Sequence, residues 1–64
     1  MEYTYTVVVY SASGLAMVQK RYDKLEEAVE MFHSLTEGLV HGASADVIAV
    51  NQQGIMERIG KFLK

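Results

Sequence analysis

The chain has 64 residues, with 6 Lys or Arg, 8 Asp or Glu, no cysteine and a formal net charge of −2. A chain of this length forms one domain, here residues 1–64, and buries only about 60% of the surface that its unfolded form exposes. The lack of cysteine excludes disulfides and thiolate metal sites. The negative charge disfavours nucleic acid and anionic membranes as partners.

The N-terminal residues, 1–6, lack the basic start and the long apolar stretch of a secretory signal. The apolar runs, such as residues 7–10 and 47–50, are far shorter than the roughly 18 residues that a membrane span requires. We therefore expect a cytoplasmic protein with no membrane partner.

Residues 2–10 are nearly all β-branched or aromatic, which predicts a first strand. The alternation separates one side from the other: Tyr3, Tyr5, Val7 and Val9 against Thr4, Thr6, Val8 and Tyr10. Small turn-forming residues follow at 11–14, where Gly14 is free to take a positive φ. Residues 15–22 resume an extended pattern, so the two segments predict a β-hairpin.

A helical period begins after Asp23, with apolar residues spaced to share one face: Leu25, Ala28, Val29, Phe32, Leu35 and, in a longer helix, Leu39. Asp23 is the predicted N-cap, with Glu26 completing a capping box. Gly38 is the expected left-handed residue at the end of the helix, and Gly42 is the alternative one turn later.

Residues 43–51 predict a third strand, and residues 51–54 have the composition of a tight turn. The last segment fits a helix by spacing and a strand by alternation, and Gly60 favours the strand. The predicted fold is therefore a small α+β domain of order ββαββ, with one helix packed on a mostly antiparallel sheet of three to four strands.

A single helix covers one face of such a sheet and leaves the other face bare. Neither side of the first strand is purely polar, whereas a sheet face in water usually alternates cleanly. The apolar residues that could lie on the bare side are Val8, Tyr10, Val18, Tyr22, Ile48 and Phe62. An exposed apolar face usually marks an interface, which predicts a homodimer or a partner-binding surface.

The sequence offers no set of residues for catalysis. His33 and His41 would lie about two turns apart on one helix, too far for joint metal ligation, and no nucleophile with a neighbouring base can be assembled. Ser11 and Ser13 suit a turn, and no glycine pattern for phosphate binding is present. We expect no enzyme activity, no cofactor and no metal.

The acidic residues of the helix, Glu26, Glu27, Glu30 and Glu37, form an outward stripe that either docks on a basic surface or is simply solvated. Tyrosine also suits interfaces because it combines a large apolar body with a polar tip. The predicted partner-binding residues are Val8, Tyr10, Tyr22, Glu26, Glu30 and Glu37.

The hairpin, the helical segment of residues 23–32 (DKLEEAVEMF) and the closing turn of residues 51–54 (NQQG) together resemble many short open reading frames of bacteriophages. The resemblance implies a host-takeover or anti-defence factor that binds and inhibits a bacterial enzyme or captures a nucleotide signal. We therefore expect a non-enzymatic protein-interaction module, an inhibitor of the phage type. The alternative is a homo-oligomer that binds a nucleotide-type small ligand in a pocket between subunits, because one protomer encloses little volume.

Overall fold

The computed structural model describes residues 2–64. Four strands and one helix follow one another in the predicted order: β1 (Tyr3–Tyr10), β2 (Ala16–Tyr22), α1 (Leu25–Glu37), β3 (Ser44–Asn51) and β4 (Met56–Leu63). All neighbouring strands pair antiparallel in the order β2-β1-β3-β4. The predicted α+β fold is confirmed, with β1 and β3 at the centre and β2 and β4 at the edges.

The helix covers one face of the sheet and packs across β1, β3 and β2. Val7, Ala28 and Val47 form the buried centre of the core, and the partly buried side chains packed around them are Tyr5, Tyr22, Phe32 and Leu35. Ala28 is small, which lets the helix backbone approach the sheet. The covered side of β1 is therefore the one that carries Tyr5 and Val7.

Both hairpins turn through the same arrangement of hydrogen bonds. In the first, the Gly14 N–H donates to the Ser11 carbonyl (2.9 Å) and the Ser11 N–H to the Leu15 carbonyl (2.8 Å). Asn51 takes the place of Ser11 in the second turn, and Gly54 that of Gly14. Both glycines have positive φ, 89° and 82°, as a type I turn closed by a left-handed glycine requires.

The predicted N-cap was wrong by one residue, whereas the predicted end at Gly38 is confirmed as the C-cap, although without the left-handed conformation. Lys24, not Asp23, is the N-cap, and its carbonyl accepts the first helical bond from the Ala28 N–H (3.2 Å). No side chain caps the first turn, because the lysine side chain at this position has no acceptor atom. Gly38 has a φ of −97°, and the helix closes with a tight bond from its N–H to the Leu35 carbonyl (3.3 Å). Gly42, with a φ of 91°, adopts the left-handed conformation later, in the turn that leads to β3.

The last segment is a strand, as the alternation favoured. β4 pairs along the whole of β3 and places Gly60 opposite Val47. A helix in place of β4 would have left the backbone N–H and C=O groups on the outer edge of β3 without hydrogen-bond partners. Within residues 2–64, α1 falls short of the length and apolar character that crossing a membrane demands.

Candidate interaction surface

The face of the sheet opposite the helix is what we call the open face. Alternation along each strand and the pairing register assign its side chains: Thr4, Thr6, Val8, Tyr10, Ala16, Gln19, Arg21, Ser44, Asp46, Ile48, Val50, Met56, Arg58, Lys61 and Leu63. Arg58 Nε lies 3.5 Å from Asp46 Oδ2, which confirms that β3 and β4 direct these two side chains to the same side.

The open face has an apolar centre and an exposed apolar rim. Val8 is only 5% exposed although no helix covers it, and its neighbours on the adjacent strands are Gln19 and Asp46. Ile48 is half-buried, whereas Met56 is 69% exposed. The face therefore combines a buried valine at its centre with apolar side chains that are exposed at its β4 edge.

The charge of the open face differs in sign from that of the whole chain. Its basic side chains are Arg21, Arg58 and Lys61, and among residues 2–64 its one carboxylate is that of Asp46. That carboxylate is paired with Arg58 and its side chain is only 10% exposed, whereas the Arg58 side chain is 57% exposed. The charge that a partner would meet on this face is therefore positive.

Both edge strands have features that disfavour pairing with a further strand. Each edge strand contains one extra residue at a β-bulge, Met17 in β2 and Ile59 in β4. Lys20 and Lys61 add exposed cations to these edges. Bulges and charged side chains are the usual protection of an edge strand, so the geometry favours contacts through a face over strand addition.

The predicted partner-binding residues lie on different surfaces. Val8 and Tyr10 are on the open face, together with Ile48. Tyr22 lies opposite Tyr5 and packs against the core beneath the helix, so its expected place on the bare side was wrong. The same correction applies to Val18 and Phe62, since Val18 pairs with Val9 and Phe62 with Ala45 on the covered side.

The predicted acidic residues Glu26, Glu30 and Glu37 are exposed on the helix. The helix and the open face lie on opposite sides of the sheet, so one compact partner surface cannot contact both. The two groups named from the sequence are therefore separate surfaces. A helical stripe and a strand side can each be found by periodicity, but only the packing decides whether they adjoin.

Several residues of the open face were missed in the sequence, notably Arg21, Arg58 and Lys61. Their side of the sheet depends on the two bulges, which shift the alternation of β2 and β4 by one residue. Strand alternation alone therefore misassigns one half of each edge strand. The bulge at Met17 leaves no local composition signal, whereas the bulge at Ile59 is followed by Gly60, and a glycine inside a strand often marks a bulge.

One open cleft of about 630 Å³ lies at the end of the sheet where β1 begins. Its lining includes Tyr3 and Tyr5, whose rings are 6.4 Å apart, and the carboxyl groups of Glu2 and Asp23. The described residues that line it include no Lys or Arg. The two carboxylates would repel the phosphates of a nucleotide, so the cleft within one protomer does not suit that ligand.

Across residues 2–64, no three His, Cys, Asp or Glu side chains lie close enough together to hold a metal ion. Comparisons with protein-family models, with curated proteins and with solved structures find no match for this chain.

Proposed function

We propose that this protein is a non-enzymatic protein-interaction module that acts in the cytoplasm and binds its partner through the open face of the sheet. The observation that carries the proposal is the character of that face. Its centre at Val8 is buried, its rim at Met56 and Leu63 is exposed and apolar, and its accessible charge is basic. Faces of this kind mark binding sites in small soluble domains.

The other surfaces of the protein are less suited to binding a partner than the open face. The two edge strands carry bulges and cations that oppose strand addition. The outer surface of the helix carries exposed carboxylates, which suit a solvated face. The open face differs from these surfaces because it combines exposed apolar side chains, Met56 and Leu63, with accessible cations.

The resemblance to short bacteriophage proteins supports a bacterial enzyme or defence protein as the partner and inhibition as the outcome. A homodimer through the open face has less support, because its basic side chains would meet those of the second copy. The nucleotide-binding alternative requires a pocket between two subunits, and the cleft of one protomer, whose described lining includes the carboxyl groups of Glu2 and Asp23 and no Lys or Arg, offers no basic group to such a pocket.

The test compares two double variants that change the charge equally. Met56→Asp with Leu63→Asp alters the open face, and Leu15→Asp with Val40→Asp alters a turn and a loop. The four side chains are matched in exposure, at 69%, 71%, 70% and 69% respectively. Each tagged variant is used to capture partners from bacterial lysates, and the bound proteins are quantified by mass spectrometry against the unaltered chain.

We expect the open-face pair to lose the protein that the unaltered chain captures and the control pair to retain it. Circular dichroism establishes that both variants are folded. Retention by both pairs, or loss by the control pair alone, would contradict binding through the open face.

A further inference from the structure

The open face arranges its basic side chains at the two ends of rows that cross the whole sheet. One row, from β2 to β4, is Arg21, Thr6, Ile48 and Arg58. Neighbouring strands lie about 4.8 Å apart, so the backbones of Arg21 and Arg58 are separated by about 14 Å. Between these two cations lie a short polar side chain and an apolar one.

The next row is Gln19, Val8, Asp46 and Lys61. Asp46 is recessed and lies 3.5 Å from Arg58, with Lys61 directly opposite it on β4. Its carboxylate therefore orients Arg58 and offers little negative charge at the surface. The β4 edge of the open face keeps two cationic groups, and the β2 edge keeps one.

The carboxylates of the helix do not neutralise this charge. They lie on the other side of the sheet, and layers of secondary structure pack about 10 Å apart. At physiological ionic strength the Debye length is about 8 Å. A partner at the open face therefore meets a basic surface although the chain as a whole is acidic.

We propose that the occupant of the open face is an acidic segment of a partner protein, with apolar side chains between its carboxylates. The carboxylates contact Arg21 at one edge and Arg58 and Lys61 at the other. The apolar side chains lie on Ile48 and against the exposed rim at Met56. This inference rests on the proposed function and names the chemistry of the partner.

Two other occupants fit the observations less well. Single-stranded nucleic acid needs aromatic rings on which bases stack, and Tyr10 is the one aromatic side chain that the described strands place on this face. The helix of a second copy is acidic, but a contact from open face to helix is head-to-tail and continues into a filament rather than closing a dimer.

The experiment selects peptides from a random display library on the immobilised protein and measures binding of the enriched peptides in solution. We expect enriched sequences that combine Asp or Glu with apolar residues and that perturb the side-chain methyl resonances of Ile48 and Met56. Arg21→Gln with Arg58→Gln should weaken binding by about tenfold or more, since each charge-assisted hydrogen bond contributes on that order.

Lys24→Gln with Lys64→Gln is the matched control, because it removes the same charge outside the open face and should change binding by less than about twofold. A charge exchange provides the second test. Arg21→Glu should lose an acidic peptide and recover binding when one peptide carboxylate is replaced by lysine. Arg21 has no acidic neighbour in its row, so this variant keeps its fold.

Enriched peptides that bind the open face but are neutral or basic would overturn the inference and leave the proposed function standing. Peptides that bind the helix or the edges, or no enrichment at all, would overturn both. Tighter binding of an oligothymidine probe than of any peptide, or self-association abolished by Glu30→Lys with Glu37→Lys, would assign the face to one of the other occupants and overturn the inference.

Discussion

The two faces of the sheet are made by the same four strands, yet neighbouring residues on opposite faces differ in burial. On the covered side Val7 and Val47 are buried beneath Ala28 and define the core. On the other side, one residue along, Thr6 and Ile48 are only half-buried, although Val8 is buried there as well. The contrast shows that β-branched residues on both faces suffice to form the strands, while the helix decides which face holds the core and which is left uncovered.

The largest effect is expected from placing a carboxylate on each face of β1 in turn. Val7→Asp buries a charge at a position with no exposure, next to the helix. That cost is several kcal/mol, comparable with the roughly 3–10 kcal/mol expected for the whole domain, so the protein should unfold. Thr6→Asp, opposite Arg21, should remain folded. Circular dichroism and urea titration distinguish the two, and a folded Val7→Asp protein would show that the helix does not seal this face.

A smaller effect is expected from shortening neighbouring side chains of β3. Val47→Ala should lower the free energy of unfolding by about 2 kcal/mol, because the lost groups leave a cavity under α1. Ile48→Ala removes one carbon more but should cost only about 1 kcal/mol, since its side chain is partly exposed and no helix covers it, so solvent can fill the space that is left. The measurement is urea denaturation of both variants. An equal or larger loss for Ile48→Ala would mean that the open face also contributes a core.

The smallest effect is expected on the outer surface of the helix. Glu30→Lys with Glu37→Lys changes two exposed carboxylates that make no ion pair among the described residues. Its free energy of unfolding should change by less than about 0.5 kcal/mol, and its capture of the partner should be unchanged. Loss of the partner in a folded protein would transfer the binding role to the acidic stripe.

Much of the fold follows from local patterns. The alternation in residues 2–10, the helical spacing after Asp23 and the glycine turns at Gly14 and Gly54 each predicted the observed element. The helix ends were harder to predict, because Asp23 and Gly38 are residue types that often cap helices. The helix nevertheless begins one residue later than Asp23 predicts, and its last turn is closed by a bond from Gly38 three residues back along the chain.

The candidate site was predicted only in part, since its composition depends on packing. Tyr22 and Val8 are both apolar strand residues, and the sequence contains nothing that assigns one to the core and the other to the open face. The bulges at Met17 and Ile59 then reverse which face of the sheet the following side chains of each edge strand point to. The strand pairing that includes these bulges is what places the basic side chains of Arg21 and Arg58 on the open face.

Methyl cross-saturation in the complex with the captured partner tests most directly whether the open face is the binding surface. We expect transfer to the methyl groups of the open face, those of Ile48, Val50, Met56 and Leu63, and little to Leu25 and Val29 on the helix. Backbone amides are shared by both faces, whereas these methyl groups report one face each. Transfer concentrated on Leu25 and Val29 would place the partner on the helix side and contradict binding through the open face.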